Sequence, residues 1–217
     1  MSAKYKSPSF LLPNELNTSA NPATGTGVNS LYSMNFDGTE YITAGLLSEY
    51  ISLSAPTTLT VSAWIKTSSN NTQGIVGSGA NNSSGLIFRI SSGEITFGVI
   101  TTVTTSRIIT TTANVNDGNW HHVVGTYDSE GDASGNTLYL YVDGTQIGSN
   151  TGNRGIYPFD NYPLFIGAVG AGNSQVNPFI GKIDEVAIFN RALDSTEIAA
   201  LYGGTSPNIY PSNLIAT

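Results

Sequence analysis

The chain has no cysteine, only two histidines and very little charge: 11% of its 217 residues are Asp, Glu, Lys or Arg. Without cysteine there is no disulfide framework, no thiolate nucleophile and no cysteine-ligated zinc. Eight Lys and Arg against fifteen Asp and Glu give a formal net charge of −7, and the basic residues are scattered rather than clustered. The overall field therefore opposes phosphate backbones and anionic lipid, which argues against nucleic acid or membrane partners. No apolar run approaches the ~20 residues of a membrane span. The first twelve residues hold Lys4 and Lys6 but no uninterrupted apolar core, so no secretion signal is expected there.

What is present is glycine, 24 residues of it, with abundant Asn, Ser and Thr. This mixture supplies turns and a neutral polar surface rather than salt-bridged helices. Residues 1–30 contain Pro8, Pro13 and Pro22 without strand or helix periodicity, and read as an extended arm with one apolar knot at Phe10, Leu11 and Leu12. From residue 31 the pattern is strand, turn, strand. Strands are expected at 31–36, 40–44, 59–66, 74–77, 86–91, 94–100, 107–112, 120–127, 138–142, 145–148, 164–168 and 181–189. In the last of these, Ile183, Val186 and Ile188 cannot share a face under strict alternation, so a bulge is expected near Asp184 and Glu185. Residues 203–217, with Pro207 and Pro211, read as a tail.

Near the end the period changes. Asp194 can cap a helix with Glu197 as its reciprocal partner, Ile198, Leu201 and Tyr202 share one face, and Gly203-Gly204 stops it. Three further stretches carry dense apolar and aromatic patterns: Trp120-His121-His122-Val123-Val124-Gly125, Leu138-Tyr139-Leu140-Tyr141-Val142-Asp143-Gly144, and Pro163-Leu164-Phe165-Ile166-Gly167. With the strand-to-helix stretch at 179–202 and the opening hairpin at 34–42, they closely resemble the laminin-G-like, concanavalin-A-like domains of bacteria and viruses. The resemblance covers residues 31–202. It implies an all-β jelly-roll sandwich of two antiparallel sheets with one short C-terminal helix, and a non-catalytic recognition or adhesion role.

Glucanases and lyases share that fold, but they require paired carboxylates, and the glucanase pattern places acids at alternate positions of one strand. Here Asp184 and Glu185 are adjacent, and no strand offers the alternating set. His121 and His122 are also adjacent and point to opposite faces, so they cannot jointly hold a metal; packing around a hydrogen-bonded imidazole is the expectation. Asp128, Glu130 and Asp132 lack the glycine and glutamate positions of a calcium loop and read as a polar hairpin. The resemblance implies a structural calcium between the first hairpin, at Asp37 and Gly38, and the last strand, at Asp184; these residues could instead be turn and bulge stabilisers. For ligand binding, Arg154, Tyr157, Asp160, Asn161 and Tyr162 combine aromatic rings with polar groups as sugar sites do, although such rings also cover sandwich edges or meet a neighbouring subunit. Trp64 fits either core or sheet face.

Together these point to a module displayed extracellularly as a phage or virus surface component, a capsid decoration or tail protein. Its expected partners are other virion subunits, met through the N-terminal arm in a homo-oligomer or larger assembly, and surface glycans. The alternatives are a free carbohydrate-binding module and, third, a polysaccharide-degrading enzyme.

Overall fold

A computed structural model describes residues 33–50, 58–79, 85–100, 107–132, 135–152, 161–171 and 173–203. Strand β3 (Thr58–Lys66) shows how the sequence builds it: Leu59, Val61, Ala63 and Ile65 enter the core, while Thr60, Ser62 and Trp64 take the other side. The same alternation runs through β5 (Gly85–Ser91), where Leu86, Phe88 and Ile90 point inward, and β6 (Glu94–Ile100), where Ile95, Phe97 and Val99 do.

The remaining strands are β1 (Met34–Asp37), β2 (Ile42–Leu46), β4 (Gln73–Ser78), β7 (Arg107–Thr112), β8 (Trp120–Asp132), β9 (Gly135–Val142), β10 (Thr145–Gly152), β11 (Pro163–Ile166), β12 (Val169–Ala171), β13 (Ser174–Val176) and β14 (Ile180–Phe189). They form two six-stranded sheets, ordered β1-β14-β3-β8-β9-β10 and β2-β11-β4-β5-β6-β7, and a small β12-β13 ribbon. All the pairings are antiparallel. The inner faces of the two sheets meet in one core, where Phe88 and Phe97 pack edge to face at 5.4 Å. The jelly-roll sandwich expected from the sequence is therefore the observed fold.

The expected bulge is present. Pairing between β14 and β3 shifts between Asp184 and Ala187, and Glu185 adopts φ 46, which returns Val186 and Ile188 to the core with Ile183. The expected helix is α1 (Ser195–Gly203). Asp194 Oδ1 accepts the Thr196 and Glu197 N–H groups at 2.8 and 2.9 Å, and Glu197 Oε2 accepts the Asp194 N–H at 3.0 Å, a complete capping box. Arg191 clamps Glu197 through two bonds of 2.6 and 2.7 Å. The helix closes over the outer face of the first sheet, where Ile198 and Leu193 join Val124, Tyr141, Ala187 and Phe189 in a second apolar cluster.

The β12-β13 ribbon was not anticipated. Its approach crosses β4 at two glycines: a Cβ on Gly74 would lie 2.3 Å from the Ala168 and Val169 backbone, and one on Gly77 would lie 2.8 Å from Val169 Cα. Val169 and Val176 then cover Ile87 on the outer face of the second sheet. Strands β8 and β9 also run further than expected, pairing as far as Asp132 and Gly135, so the region read as a polar hairpin is longer than the expected strands allowed. The arm at 1–30 and the tail beyond 203 lie outside the described residues.

Candidate functional site

Of the five residues expected to bind a ligand, Arg154, Tyr157 and Asp160 lie outside the described residues. Asn161 and Tyr162 close that loop and are tied down. Asn161 Oδ1 accepts the Ser48 N–H at 3.2 Å, and the Tyr162 carbonyl accepts the Leu47 N–H and the Ser78 hydroxyl, both at 3.1 Å. The loop therefore ends against one end of the second sheet.

The first hairpin and the last strand do pair, but Asp37 faces Ile180, while Ile183 faces Met34. Asp184 consequently lies four residues beyond the partner of Asp37, roughly 13 Å along the strand. Asp37 Oδ1 accepts the Thr39 N–H and hydroxyl at 2.8 and 2.6 Å, bonds that lower its pKa, and Gly38 takes φ 94 in the turn. Asp184 Oδ1 accepts the Glu185 N–H at 2.9 Å at the bulge. The two carboxylates do not fit one shared calcium shell. Among the described residues, no three His, Asp or Glu side chains converge as a metal cluster.

The adjacent histidines do face opposite ways. His122 is buried on the outer face of the first sheet, its Nε2 2.8 Å from Ser62 Oγ and its ring in a stack with Trp64 and Tyr202. Burial holds its pKa down to about 4. Trp64 is thus neither in the inter-sheet core nor open to a ligand, being capped by the end of α1. His121 places Nδ1 2.8 Å from Asp143 Oδ2 and Nε2 3.1 Å from Asp117 Oδ1. The Asp143 bond raises its pKa, partly offset by desolvation. Asp117 is held down to about 2 by hydrogen bonds from Asn119. Asp143 begins the β9–β10 turn, with φ 51 followed by φ 75 at Gly144, the backbone that an Asp-Gly hairpin turn requires. This cluster fastens a loop to a turn.

The outer face of the second sheet is different. Arg89 lies between inward-facing Phe88 and Ile90, so it stands outward, in a row that reads Gly74, Arg89, Thr96, Thr110 across β4 to β7. Thr96 and Thr110 join hydroxyls at 3.0 Å; Thr96 is buried and Thr110 exposed. The next row carries the exposed Glu94, and the row on the other side carries Ile108. The β12-β13 ribbon borders this face. Arg89 Nε and, on the ribbon, Gln175 Oε1 are buried without a hydrogen-bond partner among the described residues. Sequence reasoning passed over Arg89. Its alternation with Phe88 and Ile90 was the available signal, but the ribbon beside it was not legible.

These features define a lectin-type two-sheet sandwich, one outer face closed by a helix and the other crossed by a ribbon with a polar row at Arg89 beside it. The family model described as the concanavalin A-like lectin/glucanases superfamily, of laminin-G type, matches residues 36–199, and the chain belongs to that family. No curated protein matches it. Among solved structures, the botulinum neurotoxin serotype G binding domain is similar with a TM-score of 0.58 at 19% identity, covering 78% of this chain and 41% of that one. The receptor-binding domain of the C/D mosaic botulinum neurotoxin gives 0.53 at 19%, over 69% and 36%. The chain thus spans only about two-fifths of those toxin domains. The Ruminococcus gnavus IT-sialidase CBM40 gives 0.56 at 18%, over 80% of this chain and 100% of the module, and it has also been solved bound to α2,3-sialyllactose. At these identities the likeness is one of fold.

Proposed function

We propose that this chain is a non-catalytic glycan-recognition module that works as part of a larger surface protein or assembly. The observation that carries the reading is the outer face of the second sheet, which presents Arg89, Thr110 and Glu94 beside apolar Ile108, whereas the corresponding face of the first sheet is closed by α1. Sugar sites need this pairing of hydrogen-bonding groups with apolar surface. The fold shared with a sialidase carbohydrate-binding module along that module's full length supports it. Purified full-length protein on a glycan array, with calcium and with chelator, is expected to retain a restricted set of glycans; no retention in either condition would overturn the reading. Incubation with β-glucans and polyuronates is expected to release no reducing ends, and turnover would reinstate an enzyme.

Display on a phage or virus particle is the finer reading, supported by the cysteine-free composition and by the Pro-punctuated first 30 residues. Light scattering after size exclusion is expected to show an assembly for the full chain and a monomer once residues 1–30 are removed. Two monomers would remove the arm from the assembly argument.

A further inference from the structure

Arg89 stands mid-sheet, on the face opposite the core residues Phe88 and Ile90 that flank it in sequence, and among the described residues it makes no ion pair. Arg191, by contrast, is committed to Glu197. Arg89 Nε is buried without an acceptor among the described residues, so an incoming group would meet the terminal guanidinium nitrogens. Gly74, its partner across the ladder, leaves room for the backbone of Ala168 and Val169, so the start of the ribbon rises beside the strand position of Arg89. On the far side the Thr96–Thr110 hydroxyl pair continues the row into solvent.

Resting on the glycan-recognition reading above, we infer that this step between ribbon and sheet is a subsite for a carboxylate-bearing sugar, with Arg89 receiving the carboxylate. A planar guanidinium matches a carboxylate with two parallel bonds, whereas a neutral sugar leaves its charge unmet. Thr110 and Glu94 lie where ring hydroxyls would fall, and Ile108 offers an apolar contact. A net charge of −7 and exposed Glu94 disfavour densely sulfated or phosphorylated polymers, which need several cations to gain affinity. One cation in an acidic protein suits a single carboxylate among hydroxyls.

The test uses 15N-labelled full-length protein titrated with methyl glycosides of N-acetylneuraminic, glucuronic and galacturonic acids, and with the methyl ester of each, which removes the negative charge. The Arg89 Nε–H resonance is expected to move with at least one acid and not with its ester. Arg89→Gln should weaken that acid by at least about tenfold while leaving the rest of the spectrum in place, and Arg89→Lys should recover only part of the loss. Equal binding of acid and ester, or an Arg89→Gln protein that binds the acid as wild type does, would overturn the subsite. So would retention of neutral glycans alone on the array, with glycan recognition left standing. An array with no retained glycan overturns both.

Discussion

At the residue scale, Gly125 shows how little freedom the core leaves. A Cβ there would lie 2.2 Å from the Phe97 ring, so Gly125→Ala forces an aromatic that is itself locked against Phe88. Overpacking of this kind costs about 1–3 kcal/mol, read as a lower urea midpoint with unchanged slope. The two histidines titrate in opposite senses. His122 is neutral in the folded state and titrates near 4 there, so below the unfolded value of about 6.5 the unfolded chain takes up a proton that the fold refuses, and stability is lost as pH falls. His121 has a raised folded pKa, so its contribution is fully present below about 6.5 and is lost as pH rises through the folded value. Melting temperatures from pH 5 to 8 are expected to soften their alkaline decline in His121→Gln and their acid decline in His122→Gln.

At the element scale, the cap and the bulge are where sequence and structure agree most closely, because each is a local problem with one local solution. Asp194 and Glu197 stand three apart before an apolar face, and the reciprocal bonds follow. Asp194→Ala should cost about 0.5–2 kcal/mol in denaturant unfolding. The parity conflict among Ile183, Val186 and Ile188 required a bulge, and Glu185 occupies it. There desolvation, followed by the neighbouring Asp184 charge, raises the Glu185 pKa to about 7. An acid raised in the fold gives stability that is present at low pH and lost as pH rises from about 4.5 through the folded value. Glu185→Gln is therefore expected to raise the melting temperature at pH 8 and to lose that advantage near pH 4.5. The β12-β13 ribbon was illegible for the complementary reason: its residues are small and show no alternation, and they become a ribbon only because Gly74 and Gly77, ninety-odd positions earlier, let the chain cross. The separation of Asp37 from Asp184 is likewise a matter of long-range register, which residue type does not encode.

At the scale of the whole molecule, composition and strand pattern were enough to show a chain of many short strands, and the resemblance supplied the jelly-roll sandwich; inward residues obey the period of two except at the bulges of β4 and β14. Composition and pattern could not say which outer face would be covered. Residues 33–203 supply the inter-sheet core, the helix cluster and the ribbon cluster among themselves. Deleting residues 1–30 is thus expected to leave the melting temperature within a few degrees of the full chain in a calorimetric scan.

Strand β1 and helix α1, the first and last elements described, both belong to the first sheet: one pairs with β14, and the other lies on the outer side of that sheet. The face bearing Arg89 lies on the opposite side of the sandwich from α1, so copies set side by side with their α1 faces turned inward would all offer the same row to an approaching surface, and weak single contacts could add up without any change in the individual fold.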